Sequence, residues 1–124
     1  MRLTPARTGA GLMALIGLIH LVLAPEYLEE ATYVGGLFIA GAIASFLIAA
    51  RLWTRESLAD WSLAALIAAG MATGFVLSRT VGLPGFQESE WELSGLLSLL
   101  AEAGVVVLAF SWMRREPLGP STSS

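Results

Sequence analysis

At 124 residues, with 56% apolar and only 14% charged residues, the chain has more apolar surface than a soluble domain of its size can bury. With no cysteine it excludes disulfides, thiolate metal sites and Cys-based catalysis. Its net charge of −3 and its dispersed basic residues, all of them arginine, leave no footprint for nucleic acid.

Four apolar segments follow one another, and a spanning helix needs about 20 mostly apolar residues. The first, GAGLMALIGLIHLVLA at 9–24, is adequate once extended to a span over 8–25. Arg2 and Arg7 before it also suit a signal peptide, but Pro25 after Val22-Leu23-Ala24 is a poor cleavage site, so an uncleaved helix is expected. The next stretch, PEYLEE at 25–30, reads as a helix start: proline suits the first position, and Glu26, Glu29 and Glu30 suit the positive end of the dipole. A second span is predicted over 31–53, a third over 61–82 and a fourth over 93–113. The runs are continuously apolar rather than alternating, which favours helices over barrel strands. Gly82 and Pro84 end the third helix and turn the chain. The expected fold is an all-α integral membrane protein, an antiparallel four-helix bundle in one domain over 1–116, with a short polar tail at 117–124.

Arginine placement predicts the orientation. With both termini cytoplasmic, Arg2, Arg7, Arg51, Arg55, Arg114 and Arg115 fall inside and only Arg79 falls outside. A multi-pass protein of the plasma membrane is the expected setting. Small residues recur every four positions at Gly36, Ala40 and Ala44, at Gly70, Gly74 and Ser78, and at Ser94 and Ser98 ahead of Glu102. Such stripes usually bring helices into close contact.

Ionisable residues in and beside the spans are the candidate site. Glu102 lies nine residues past Leu93, about 13–14 Å along a helix and near the middle of a hydrocarbon core about 30 Å thick. An acid there costs about 2.5–3.5 kcal/mol on insertion scales. It faces the bundle interior, either as a neutral acid bonded to Ser98 or a carbonyl, or as a proton, metal or ligand site. His20, the one histidine, sits five residues before Pro25, about 7–8 Å from the outer end. It suits a bond to a neighbouring carbonyl, or a metal or proton role. Arg79 either snorkels to the interface or turns inward to pair with Glu102, Glu92 or the Glu26/Glu30 pair through bidentate bonds. His20, Arg79 and Glu102 would then form the centre of a ligand or ion-pair site, with Glu26, Glu30 and Glu92 at its mouth. A metal ion on His20 and Glu102 is one possible cofactor.

His20, Pro25-Glu26-Tyr27 and SRTVGLPG at 78–85 together resemble a group of small four-helix bacterial membrane proteins of uncharacterised function. Their shared pattern is H-x4-P-E-[HY], R-T-x-G-L-P and later glutamates, matched here over roughly residues 12 to 110. Tyr27 stands where such sequences can carry a second histidine. The resemblance implies fold and membrane placement and no particular activity.

The leading functional expectation is an accessory or binding protein with a buried polar site toward the outer leaflet. The alternative is an oligomeric transporter or channel for protons, metal ions or a small solute. One histidine rules out bis-histidine haem within a single chain, and no nucleophile–base pair or phosphate loop is visible, so an enzyme ranks last. The expected partners are the bilayer and a second copy or a larger membrane complex.

Overall fold

The computed structural model describes residues 4–88 and 90–115; Arg2, Glu116 and the polar tail at 117–124 lie outside them. Four helices account for most of the chain: α1 (Pro5–Glu30), α2 (Thr32–Thr54), α3 (Leu58–Arg79) and α4 (Leu93–Arg115). Each is long and apolar enough to cross a membrane.

Successive helices run in opposite directions. The late residues of α1 and α3 meet the early residues of α2 and α4 at one end of the bundle. At the other end Ala10, Met13 and Ile16 pack against Ile48, Leu52, Trp61, Ala64, Val105 and Ala109 in an apolar core. Trp61 is its largest member and is fully buried. Gly9 makes room for it, since a Cβ there would stand 2.5 Å from the indole. Outward positions carry large apolar side chains, among them Leu37, Leu47, Leu66, Leu100 and Val107, all more than 60% exposed.

The first helix corrects the expected boundaries. It is the longest of the four at 26 residues and continues through Pro25, which lies inside it. The chain breaks only at Ala31, which is extended and returns its N–H to the Tyr27 carbonyl at 2.9 Å. A proline inside a helix removes one bond and crowds the preceding turn, at a cost of about 3 kcal/mol in water. Here the turn beyond it is held by tertiary contacts, because the Tyr27 ring stacks on Phe38 at 4.4 Å and meets Phe86 edge-on at 5.6 Å. PEYLEE therefore ends α1 and does not begin α2. Glu26, Glu29 and Glu30 lie at the negative end of the α1 dipole, so the capping role expected for them falls.

The third helix is shifted toward its amino end relative to the predicted 61–82. Ser57 caps it: the hydroxyl accepts from the Asp60 N–H at 3.1 Å and donates to Asp60 Oδ2 at 2.9 Å. Asp60 is fully buried, and Arg51 Nε lies 2.6 Å from its Oδ1, with Arg55 Nε 3.8 Å from Oδ2. Asp60→Ala removes the partner of a capping serine and of an arginine together. It is expected to lower stability by about 1–2 kcal/mol, and Asp60→Asn by less, in an SDS titration of the protein in mixed micelles. At the far end α3 stops at Arg79. The Gly82 N–H reaches back to the Leu77 carbonyl at 2.7 Å, with Gly82 in the left-handed region at φ +88°.

Three glycines of the small-residue stripes, Gly36, Gly70 and Gly74, do not make the close contacts expected of them. The tightest pairing is α1 with α2, where Gly17 faces Phe46 and the Ala42 carbonyl. A Cβ added at Gly36, Gly70 or Gly74 would meet nothing within 4 Å. Helices α2 and α3 are joined at one end by Arg51, Asp60 and the core around Trp61, with Met71 reaching Gly41 further along, and beyond that their small residues border an opening between them.

Candidate functional site

That opening is a cavity of about 440 Å³ reached by all four helices and by the loop after α3. It occupies the half of the bundle that the apolar core does not. Most of its wall is apolar, supplied by Leu37, Phe38, Leu66, Met71 and Phe75 among others. Its polar lining comes from several elements: Glu92, Arg79, Ser78 and Tyr27 toward the loop, His20 from α1, and Ser94, Ser98 and, deepest, Glu102 from α4.

Arg79 is held on every side. Its guanidinium is only 3% exposed although it comes from the last residue of α3. Nη2 donates to Glu92 Oε1 at 2.6 Å and to the Tyr27 hydroxyl at 3.0 Å. Nη1 donates to Ser78 Oγ at 2.7 Å, and Nε donates to the Glu90 carbonyl at 3.1 Å. The planar group also lies over the Phe75 ring, 4.1 Å from its centroid. The loop reinforces this arrangement. Leu83 and Phe86 exchange backbone bonds at 2.7 and 2.9 Å, and Tyr33 donates to the Pro84 carbonyl. The Glu88 N–H bonds the Ser78 carbonyl at 2.8 Å, and Phe86 is tucked beside Tyr27.

Glu102 stands apart from that network. It is 2% exposed, and Oε2 accepts from Ser98 Oγ at 2.7 Å. Its other oxygen, Oε1, is buried with no hydrogen-bond partner among the described residues. A buried polar atom left unpaired costs about 1–3 kcal/mol, so it calls for a function or a partner the chain does not supply. His20 donates from Nδ1 to the Ile16 carbonyl at 2.8 Å and lies against Phe38. A carbonyl only accepts, so in the neutral ring Nδ1 carries the proton and Nε2 keeps its lone pair.

Of the six expected site residues, His20, Arg79, Glu92 and Glu102 line this cavity. Glu26 and Glu30 are exposed on the outside of α1 and do not. The inward turn expected of Arg79 is present, but it pairs with Glu92 alone, through one nitrogen, and reaches neither Glu102 nor the Glu26/Glu30 pair. Among the described residues no three His, Asp or Glu side chains converge as metal ligands, so a metal on His20 and Glu102 finds no third ligand there.

Tyr27 is the site residue that sequence reasoning missed. It lies seven residues after His20 and eleven after Ile16, on one helical face, a signal visible in the sequence once α1 is allowed to run through Pro25. Ser78 was read only as part of a packing stripe, yet it accepts from Arg79 and donates to the Phe75 carbonyl. No family model matches the chain, and no curated protein or solved structure matches it.

Proposed function

We propose that this is a multi-pass protein of the plasma membrane, with both termini cytoplasmic, that binds a small lipid-soluble molecule in the cavity of its outer half. The observation that carries the reading is Glu102 Oε1, a buried and unpaired carboxyl oxygen at the deep end of a cavity otherwise walled by apolar side chains. Ligand sites have this composition, an apolar wall with a few placed polar groups, and volumes of about 300–1,000 Å³. The orientation rests on the arginine bias, and Trp53 and Trp91, exposed near opposite ends of the bundle, suit the two interfaces. The resemblance to small bacterial four-helix membrane proteins agrees with this setting.

An oligomeric transporter or channel has less support. The apolar core around Trp61 and Leu52 closes the other half of the bundle, so one copy offers access from one side only.

Gly74 provides the test, because it borders the cavity and a side chain added there meets nothing within 4 Å. Gly74→Phe is expected to fold, to keep its helical circular dichroism and to lose whatever small molecule co-purifies with the wild type. Native mass spectrometry from lipid nanodiscs reads the bound species, and elemental analysis of the same sample reads metals. Equal occupancy in wild type and Gly74→Phe, or none in the wild type, sinks the proposal.

A further inference from the structure

The polar groups of the cavity differ in how far they are already engaged. Arg79 donates through Nε, Nη1 and Nη2 to four partners and covers Phe75 with its face, so it has little left for an anionic guest. The Ser98 hydroxyl is engaged by Glu102, and the Ser78 hydroxyl donates to the Phe75 carbonyl. Toward the loop the Tyr27 and Ser94 hydroxyls and Glu92 Oε2 keep some capacity, whereas at the deep end the one buried polar atom without a partner among the described residues is Glu102 Oε1.

The charges agree. Arg79 is matched by Glu92 at 2.6 Å, which leaves the Glu102 carboxylate without a counter-charge on the cavity wall. Alone in so apolar a place the carboxyl takes up a proton, and a cation beside it is what makes the ionised form stable. From this we infer that the ligand is an amphiphile whose head is a protonated amine, seated against Glu102, with its apolar body along Leu66, Met71 and Phe75. The inference rests on the binding reading above and adds the chemistry of the head. An alcohol of the same shape satisfies Oε1 as a donor but leaves the charge unmatched. A carboxylic acid brings a second anion toward Glu102.

Three dodecyl probes, identical except for an amine, an alcohol or a carboxylic acid head and each bearing a diazirine on the chain, separate these cases. Each is photolysed with the protein in lipid nanodiscs at equal membrane concentration, and the labelled residues are mapped by mass spectrometry. The amine is expected to label Met71 and Phe75 about ten-fold more than the alcohol, the difference between a charge-assisted and an ordinary hydrogen bond, and the acid less than either. Glu102→Gln, which places an amide donor at the open position, is expected to bring the amine down to the level of the alcohol while the alcohol still labels. Equal labelling by acid and amine, or an amine preference that survives Glu102→Gln, overturns the inference. If all three heads label the cavity alike and Gly74→Phe abolishes that labelling, the binding reading stands and the amine assignment falls. If none labels the cavity while residues outside it such as Leu100 and Val107 are labelled, both fall.

Discussion

Replacing Glu102 by methionine is expected to make the protein more stable, by about 1–3 kcal/mol, and to abolish any preference of the cavity for the amine probe. The sign follows from what the carboxyl does in the structure. Among the described residues one oxygen has Ser98 as its partner and the other has none, and the side chain is 2% exposed. The native chain therefore carries a desolvation cost that an apolar side chain of similar length avoids. Ser98 loses its partner in the variant, but a serine inside a helix can turn its hydroxyl to a carbonyl of the preceding turn. The midpoint of an SDS titration in mixed micelles, read beside probe labelling of the cavity, checks both halves of the statement. A loss of stability in Glu102→Met would mean that the carboxyl fixes the bundle and that its burial serves structure. Destabilised sites of this kind are where proteins retain residues for a use other than folding.

Arg79→Met is expected to act in the opposite direction, lowering stability by about 2–4 kcal/mol. The variant strips partners from Glu92, the Tyr27 hydroxyl and the Glu90 carbonyl at once, and it loosens the link between α1, α3 and the start of α4. Glu92 is 30% exposed and regains some water, which keeps the loss below that of a fully enclosed pair. Arg79→Lys is expected to recover little of it, because a single ammonium cannot reach four acceptors in different directions or lie flat on Phe75. A double-mutant cycle with Glu92→Met isolates the pair, with an expected coupling of about 1–2 kcal/mol. Simple additivity would show Arg79 to be a peripheral cation whose contacts contribute separately.

These two residues show where reading the chain succeeds and where it stops. Both stood out from the sequence, because a charge inside an apolar run is expensive and needs a reason. Their relation was not legible. Arg79 and Glu102 invite pairing on charge alone, yet the loop from Gly82 to Glu92 folds back and delivers Glu92 to the guanidinium first. The same limit appears at Pro25. Local propensity ends a helix at an internal proline, and that expectation is sound for an isolated segment. It failed because Tyr27, two residues later, is fixed by Phe38, Phe86 and Arg79 from three other parts of the chain.

The small-residue stripes misled for a related reason. Spacing of four marks a face on which two backbones can approach, but it does not say whether a partner takes up the offer. Gly9, Gly17 and Gly35, where α1 and its neighbours come close together, belong to no stripe that stood out. Gly70 and Gly74 do belong to one, and they border empty space.

By itself the sequence determined that there are four long apolar helices and which ionisable residues lie among them. Those properties are local: an apolar run of sufficient length settles the first, and the composition of that run settles the second. Only the tertiary structure decided that α2 and α3 are joined at one end and border an opening beyond it, that Trp61 lies in the core of one half of the bundle while the other half holds a cavity, and that Arg79 is spent on Glu92 and Tyr27. Packing between helices depends on the shapes and reach of side chains distant in sequence, and no periodicity within one helix encodes them. Glu102 thus enters as an anomaly of composition and ends as an unpaired acceptor in a defined place.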